Sequence, residues 1–340
     1  MPSTTITLDA PLDMHMHLRD GEMLHAIAKA STETFSGAIV MPNLVPPVTT
    51  KEAVIAYKKR IEDAIGSTNF QPMMTLFFKP TYDRAFLESI RNEITAIKLY
   101  PAGITTNSEG GLSGFDVETL RETLEAMADL NIPLCIHGET NGFVMDREAE
   151  FVSIYEKLAT AFPTLKIIME HITTKESVAA LEKFENLYAT ITVHHLYITL
   201  DDVAGGMLEP HLFCKPIAKR PEDREALRSV ALAAHPKVMF GSDSAPHPQH
   251  AKENCGCAAG VFTAPIALQL LTALFEKHDA LEQLQDFISG NARKIYGITP
   301  LEKSVTLEKT PFHVPANYNG VVPMFAGEKI AYTIKGTNLG

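Results

Sequence analysis

The chain has little of several features that define whole classes of protein. Its 340 residues include only four cysteines, Cys135, Cys214, Cys255 and Cys257, spaced neither as a disulfide framework nor as paired CxxC zinc knuckles. We interpret all four as reduced thiols and CGC at 255–257 as a tight loop. No apolar run approaches the roughly eighteen residues of a membrane helix, and no basic leader precedes an apolar segment at the N-terminus.

Positive charge is also scarce. Thirty basic residues against 41 acidic ones give a formal net charge of −11, which argues against general affinity for a phosphate backbone. We therefore expect neither nucleic acid nor a membrane as a partner, and a cytosolic location. The hydrophobic fraction of 45% and the charged fraction of 21% are typical of a globular protein with a full core.

Short apolar runs alternate with longer segments of helical periodicity. Eight such runs are APLDMHMHL, GAIVMPN, QPMMTLFF, EITAIKLYP, IPLCIHGE, TLKIIMEHI, LYATITVHHLY and KVMFGSDSA, and helices are predicted between them, including 51–65, 116–131 and 147–162. Parallel strands buried on both faces read as continuous apolar runs, so eight strand-helix units predict an α/β fold, a (β/α)8 TIM-type barrel. We assign the barrel to residues 1–300 and a C-terminal extension packed on it, without chemistry, to 301–340.

Polar side chains end these apolar runs. In a (β/α)8 barrel the active site lies at the C-terminal ends of the strands, and burying ionisable groups there without a purpose would be costly. We therefore expect one shared site at the barrel mouth. The run-end residues are His15, His17, Asn43, Lys98, His137, His171 and Asp243. His194 and His195 also end a run, but nothing nearby completes a site, so we interpret them as structural.

The HxH pair is the strongest single signal for a metal. Side chains alternate along a strand, so His15 and His17 point to the same face and can share a divalent ion. His137 and His171 add nitrogen donors, and Asp243 adds an oxygen donor. These donors suffice for two metals with open positions, as metal-assisted hydrolysis requires. The alternative for each histidine alone is a hydrogen-bonded core residue.

Lys98 can belong to this set of metal ligands only if its amine is chemically modified. A protonated amine cannot ligate a cation, and an unmodified lysine has a pKa near 10.4. One interpretation is a lysine that extends out of the strand end or pairs with an acid. The other is that its neutral amine has added carbon dioxide and forms a carbamate whose oxygens bridge two ions.

The complete pattern resembles the amidohydrolase superfamily and, more narrowly, the dihydroorotase family of the shorter bacterial type. The resemblance runs from about residue 12 to about residue 300, and the motifs keep the family's order and rough spacing. It rests on the segments MHMHLRDGEML, MPNLVPPVTT, AIKLYPAGITTNS, IHGET, EHITT, KPIAKR and GSDSAPHPQHAKENCGCAAG.

The resemblance implies a role for each metal-site residue. His15 and His17 match ligands of the more buried zinc, and His137 and His171 match ligands of the second. Lys98 matches a carboxylated lysine that bridges both zincs, and Asp243 matches a residue that ligates the first zinc and acts as general acid/base. The implied reaction is reversible hydrolysis of the cyclic amide of (S)-dihydroorotate to N-carbamoyl-L-aspartate by a hydroxide bridging the zincs, in pyrimidine (UMP) synthesis. A homodimer is also implied.

The same resemblance implies a set of substrate contacts. Arg19 and Asn43 match groups that hold the substrate carboxylate, and a guanidinium fork suits a carboxylate chemically, although a surface salt bridge is an alternative for Arg19. The remaining implied contacts are His17, His137, His247, the backbone near Ala258, and the backbone of Lys215, where related enzymes often carry an apolar side chain. Thr105 and Thr106, in the segment AGITTNSEGG at 102–111, match a mobile loop that reaches the substrate; the alternative is a solvent loop without a catalytic part.

Three other functions remain open on the sequence alone. A hydantoinase, dihydropyrimidinase or allantoinase would use the same metal set, but its substrates lack the ring carboxylate that Arg19, Asn43 and His247 fit. A catalytically silent barrel would usually have lost a ligand, and every matched position here is filled. Purely structural metals favour closed Cys/His sites, unlike this set rich in oxygen donors.

Overall fold

A computed structural model describes residues 5–66 and 69–339, and its centre is an eight-stranded parallel sheet. A short strand β1 (Thr5–Asp9) precedes the sheet. The sheet strands are β2 (Leu12–Met16), β3 (Gly37–Val40), β4 (Gln71–Phe77), β5 (Ala96–Leu99), β6 (Leu134–Ile136), β7 (Ile167–Met169), β8 (Leu187–Ile191) and β9 (Val238–Phe240). They pair in chain order, and a parallel bridge between Met16 and Ser244 joins the last to the first. The predicted (β/α)8 barrel is confirmed, with one strand in each predicted run.

Helices follow the strands. They are α1 (Gly21–Thr32), α2 (Lys51–Ile65), α3 (Arg84–Ile90), α4 (Val117–Asp129), α5 (Arg147–Ala161), α6 (Lys175–Lys183), α7 (Val193–Tyr197), α8 (Leu200–Ala204), α9 (Pro221–Leu232), α10 (Gln249–Lys252), α11 (Ala267–Lys277), α12 (Leu281–Gln285) and α13 (Asn291–Tyr296). Local chemistry sets their ends: the Thr50 side chain accepts from Ala53 N at the start of α2, and Gly66, at φ 65°, ends it. The predicted helices at 51–65, 116–131 and 147–162 are present within two residues. Within the described part of the chain, no helix is both long and apolar enough to cross a bilayer.

The strands separate two apolar layers. One large cluster includes Ile97 and Ile136 and packs against the helices, whereas a smaller cluster includes Ala96, Cys135 and Ile168 and fills the barrel interior. Because alternate residues share a face, the interior positions two residues further along are Lys98, His137 and Glu170. The barrel interior thus changes from apolar to ionisable at the C-terminal end of the strands.

The C-terminal segment contributes four strands to two small antiparallel sheets. Its strands are β10 (Lys303–Glu308), β11 (Phe312–His313), β12 (Lys329–Ile330) and β13 (Thr333–Leu339). β10 lies between β1 and β13 in a three-stranded antiparallel sheet, so the first strand of the chain pairs with the predicted extension. The division at residue 300 stays a prediction, and residues 1–4, 67–68 and 340 of the two predicted domains lie outside the described chain.

Candidate functional site

The seam between β9 and β2 brings three predicted metal ligands together. Asp243 N donates to the carbonyl of His15 at 2.8 Å, and His17 N donates to Ser244 O at 3.1 Å. Asp243 Oδ1 consequently lies 3.4 Å from His15 Nε2 and 3.1 Å from His17 Nε2. The two imidazole nitrogens are themselves 3.4 Å apart.

Two buried carboxylates orient the histidines of this centre. Glu170 Oε2 lies 2.7 Å from His15 Nδ1, and Glu139 Oε2 lies 2.7 Å from His137 Nε2. A carboxylate only accepts, so the ring nitrogen that faces it carries a proton, and a neutral imidazole in this tautomer presents its opposite lone pair to the centre. His15 Nε2 and Asp243 Oδ1 are then two electron-pair donors facing one another at 3.4 Å, an arrangement that favours a cation between them.

His171 completes a row of three imidazoles. Its ring centroid lies 4.9 Å from that of His15 and 4.7 Å from that of His137, and its Nδ1 has no hydrogen-bond partner among the described residues. Burial holds the pKa of His171 well below the usual value and lowers that of His17 to about 3. Both rings are therefore neutral at physiological pH, the form that ligates a metal.

Lys98 is fully buried in β5, and its Nζ has no hydrogen-bond partner in the described chain. The nitrogen lies 5.1 Å from the centroid of the Tyr100 ring, which in turn lies 6.4 Å from that of His137. Burial lowers the pKa of the Lys98 ammonium, although Glu170 and Asp243 oppose this shift. Burial therefore makes the neutral, nucleophilic amine more accessible than in a solvent-exposed lysine.

Three site residues adopt a backbone conformation that L side chains rarely take. Arg19, His171 and Asp243 have φ values of 59°, 40° and 43°. Non-glycine residues with positive φ are strained and persist only where the surrounding structure compensates for the strain. They are found most often at functional sites. Hydrogen bonds provide that compensation here, since Thr190 Oγ1 accepts from His171 N at 2.7 Å and Tyr57 OH donates to Arg19 O at 2.7 Å.

A cavity opens from the histidines toward Arg19. Arg19 Nε donates to Pro246 O at 3.1 Å, and its Nη2 lies 3.0 Å from His247 Nε2. His247 Nε2 also lies 3.0 Å from Ala259 O, so this nitrogen faces both a guanidinium donor and a carbonyl acceptor. Burial together with Arg19 lowers the pKa of His247 to about 3. The cavity is lined by His15, His17, Arg19, Asn43, Tyr100, Thr105, Thr106, His137, His171, Lys215, Asp243, Ala245, Ala259 and Gly260.

Of the predicted substrate contacts, all but His247 and the backbone at Ala258 line the cavity, and His247 adjoins it through Arg19. Ala259 and Gly260 line the cavity, whereas the Ala258 carbonyl accepts from Lys252 Nζ at 2.7 Å. Lys252 also donates to Phe213 O at 2.9 Å and to Gly260 O at 2.7 Å. This buried lysine fixes the wall beside His247, and the sequence did not point to it.

A second cluster of donor groups lies in and near α7. His194, His195 and Cys214 are buried, with side-chain donor atoms within 4.8 Å of one another. His195 Nε2 and Cys214 Sγ lie 3.1 and 3.2 Å from Pro216 O, and Thr192 Oγ1 lies 2.9 Å from His195 Nδ1. Because the carbonyl engages two of the three groups, we interpret His195 and Cys214 as hydrogen-bonded parts of the core, whereas neither ring nitrogen of His194 has a partner among the described residues.

The donor set at the barrel mouth fits divalent metal ions. His15, His17 and Asp243 offer ligand atoms within 4.8 Å of one another, and His137, His171 and Lys98 adjoin them. Two buried polar atoms here, Lys98 Nζ and His171 Nδ1, have no hydrogen-bond partner among the described residues. Buried polar atoms are normally hydrogen-bonded, so these two atoms are available to a ligand. Imidazole and carboxylate ligands of this kind suit zinc and neighbouring transition metals.

Comparisons with known proteins give a consistent result. The family described as amidohydrolase matches residues 80–298. A dihydroorotase of Helicobacter acinonychis is 46% identical over 98% of this chain and 97% of its own length. The crystal structure of a Campylobacter jejuni dihydroorotase superposes with a TM-score of 0.95 at 56% identity, over 99% of each chain. A Saccharomyces cerevisiae dihydroorotase, in complex with 5-fluoroorotic acid, has a TM-score of 0.91 at 32% identity, over 97% of this chain and 98% of that one.

Proposed function

This chain belongs to the dihydroorotase family of the amidohydrolases, and from that premise we propose that it interconverts (S)-dihydroorotate and N-carbamoyl-L-aspartate with the aid of two bound zinc ions. The observation that carries the proposal is the meeting of His15, His17 and Asp243 beside a buried lysine whose amine has no hydrogen-bond partner in the described part of the chain. In the hydrolytic direction one water is consumed, the ring C–N amide bond breaks and a carboxylate forms.

The residues divide between two metal positions. His15, His17 and Asp243 would hold one ion, His137 and His171 would hold the other, and carboxylated Lys98 would bridge them. The carbamate forms when the neutral Lys98 amine adds carbon dioxide and releases a proton. When bound, the ions supply Lewis-acid activation of a water molecule and of the amide carbonyl.

The chain's own groups handle protons and orientation. An Asp243 carboxylate oxygen accepts a proton from the attacking water and returns it to the departing ring nitrogen. Glu170 and Glu139 hold the rings of His15 and His137 in a fixed tautomer through their 2.7 Å contacts. The near-complete burial of these groups limits access of bulk water to the reacting atoms.

Arg19, Asn43 and His247 would bind the ring carboxylate. Arg19 faces the cavity without an ion pair to any carboxylate in the described chain, so its charge is available to a ligand. The bound 5-fluoroorotic acid of the Saccharomyces relative is likewise a pyrimidine ring with a carboxylate. This end of the cavity supports dihydroorotate over hydantoins, dihydropyrimidines and allantoin, which lack that group. The homodimer and the cytosolic location implied by the family likeness belong to the same proposal.

The test is a spectrophotometric assay of the interconversion on protein whose metal content has been counted. We expect turnover with about two metal equivalents per chain, its loss in Lys98→Ala, and partial recovery when short carboxylic acids are added to that variant. A metal content below one equivalent, with no hydrolysis of any cyclic amide, would instead support a catalytically silent barrel. Turnover of hydantoin but not of dihydroorotate would refute the substrate assignment.

A further inference from the structure

Lys215 connects the wall of the cavity to the loop that covers it. Its side chain lines the cavity, and its Nζ donates to the carbonyl oxygen of Ile104 at 2.9 Å. Ile104 is buried within residues 102–111, which we call the 102–111 loop. The contact spans 111 positions of sequence and joins two segments that no strand pairing connects.

The 102–111 loop is internally braced. Ser108 is its centre: the Ser108 carbonyl accepts from Gly103 N at 3.0 Å and from Gly111 N at 2.8 Å. The Ser108 hydroxyl donates to Thr105 O at 2.7 Å and accepts from Thr105 N at 3.0 Å. Such a loop moves as a unit, so its position depends on the few contacts that tie it to the barrel.

Asn43 and Lys215 tie the loop down from the cavity side. Asn43 Nδ2 donates to Thr106 O at 3.0 Å, and Asn107 Nδ2 donates to Asn43 O at 3.0 Å. Lys215 holds Ile104, on the other side of Thr105, through a charged donor. Hydrogen bonds from charged donors are about twice as strong as those between neutral groups, so the Lys215 contact contributes strongly to the closed position.

The closed position leaves little space below the loop. The cavity measures about 20 Å³, which accommodates about one water molecule. A six-membered ring with a carboxylate is larger than this space, so the cavity must widen when such a ligand enters, and the loop forms one of its walls. The contacts of the closed position therefore influence both retention of a ligand and its release.

We infer that Lys215 is a positioning residue that latches the 102–111 loop over the cavity through its bond to the Ile104 carbonyl. The inference rests on the proposed function for the identity of the ligand, but the latch itself is a contact within the chain. Lysine is suited to this task because its ammonium reaches a carbonyl across the cavity mouth, whereas an apolar side chain at this position would leave that carbonyl without its donor.

Hydrogen-deuterium exchange of the loop amides tests the latch without any assay of turnover. Lys215→Met keeps an apolar side chain of similar length but removes the donor, and we expect amide exchange across 102–111 to become about tenfold faster. Lys215→Arg keeps a charged donor and should restore slow exchange. Lys51→Met is the matched control because Lys51 Nζ also donates to a carbonyl at 2.9 Å, that of Ser89, remote from the loop. The latch is refuted if Lys215→Met leaves loop exchange unchanged, or if Lys51→Met accelerates it equally.

Kinetics then show whether the latch acts on the ligand. The loop touches the cavity through Thr105 and Thr106, so a less populated closed state should raise the KM for dihydroorotate about three- to tenfold. The kcat should fall by less than about threefold, because no group that moves a proton has changed. Faster loop exchange with an unchanged KM would overturn the coupling to binding. Absence of turnover in the unmodified protein would refute the proposed function alone, since the exchange result would still decide the latch.

Discussion

Glu170 allows the metal centre to be perturbed without removing a ligand. Its Oε2 lies 2.7 Å from His15 Nδ1, and Thr190 Oγ1 donates to the same oxygen at 2.6 Å. Glu170→Gln preserves the shape of the side chain but removes its charge, and one carboxylate oxygen becomes an amide group. Since Glu170 Oε1 has no hydrogen-bond partner in the described chain, the new amide hydrogens would be buried without an acceptor.

The expected size of this effect follows from the role of the carboxylate. Groups that orient a metal-bound histidine typically contribute 10- to 100-fold to metal affinity or activity, or about 1.4–2.7 kcal/mol. We expect Glu170→Gln to weaken metal binding by such a factor in competition with a chromophoric chelator, and to lower kcat at saturating metal. Glu185→Gln, whose side chain is 98% exposed, is the control and should change neither value. Metal affinity and kcat both within about twofold of the unmodified protein would refute the reasoning.

Two further predictions concern Arg19, at the end of the cavity that would bind the ring carboxylate, and Glu148, a buried carboxylate in α5. Arg19→Glu reverses the charge that would meet the ring carboxylate, so kcat/KM for dihydroorotate should fall at least about 10³-fold with unchanged metal content; unchanged turnover would mean that the pocket assignment is wrong. Glu148 is buried and accepts from Thr173 N at 2.8 Å, from Thr174 N at 3.1 Å and from Ser177 Oγ at 2.7 Å. Glu148→Gln should therefore lower the free energy of unfolding in urea by about 2–3 kcal/mol, and a change below about 0.5 kcal/mol would show that these bonds add little to stability.

Much of the site could be predicted because it follows from the period of a strand. Alternation placed His15 and His17 on one face, and the barrel topology placed the ends of eight strands at one mouth. The same periodicity contained a signal for Glu170, since Ile168 faces the barrel interior and residue 170 shares its face. Interpreting the EHITT segment only through its histidine missed that carboxylate.

Other residues left no local signal because their partners are distant carbonyls. Lys252 donates to Phe213 O, 39 positions away, and Lys215 donates to Ile104 O, 111 positions away. Every residue has a backbone carbonyl, whatever its side chain. No sequence motif can therefore indicate which carbonyl a given lysine will bind. Such contacts emerge only when the loops above the barrel have been placed.

Closure of the barrel and assembly of the site depend on the same few bonds. Asp13 Oδ1 accepts from Ser242 N at 2.7 Å and from His15 N at 3.1 Å, and therefore joins the last strand segment to the first. Asp243 is the next residue, and its N donates to His15 O at 2.8 Å. A carboxylate 228 positions from His15 thus reaches it only because the sheet returns to its first strand. The seam must form before the three proposed ligand atoms can meet. A metal bound there would therefore stabilise the closed barrel, and a change that opens the seam would weaken metal binding as well as folding stability.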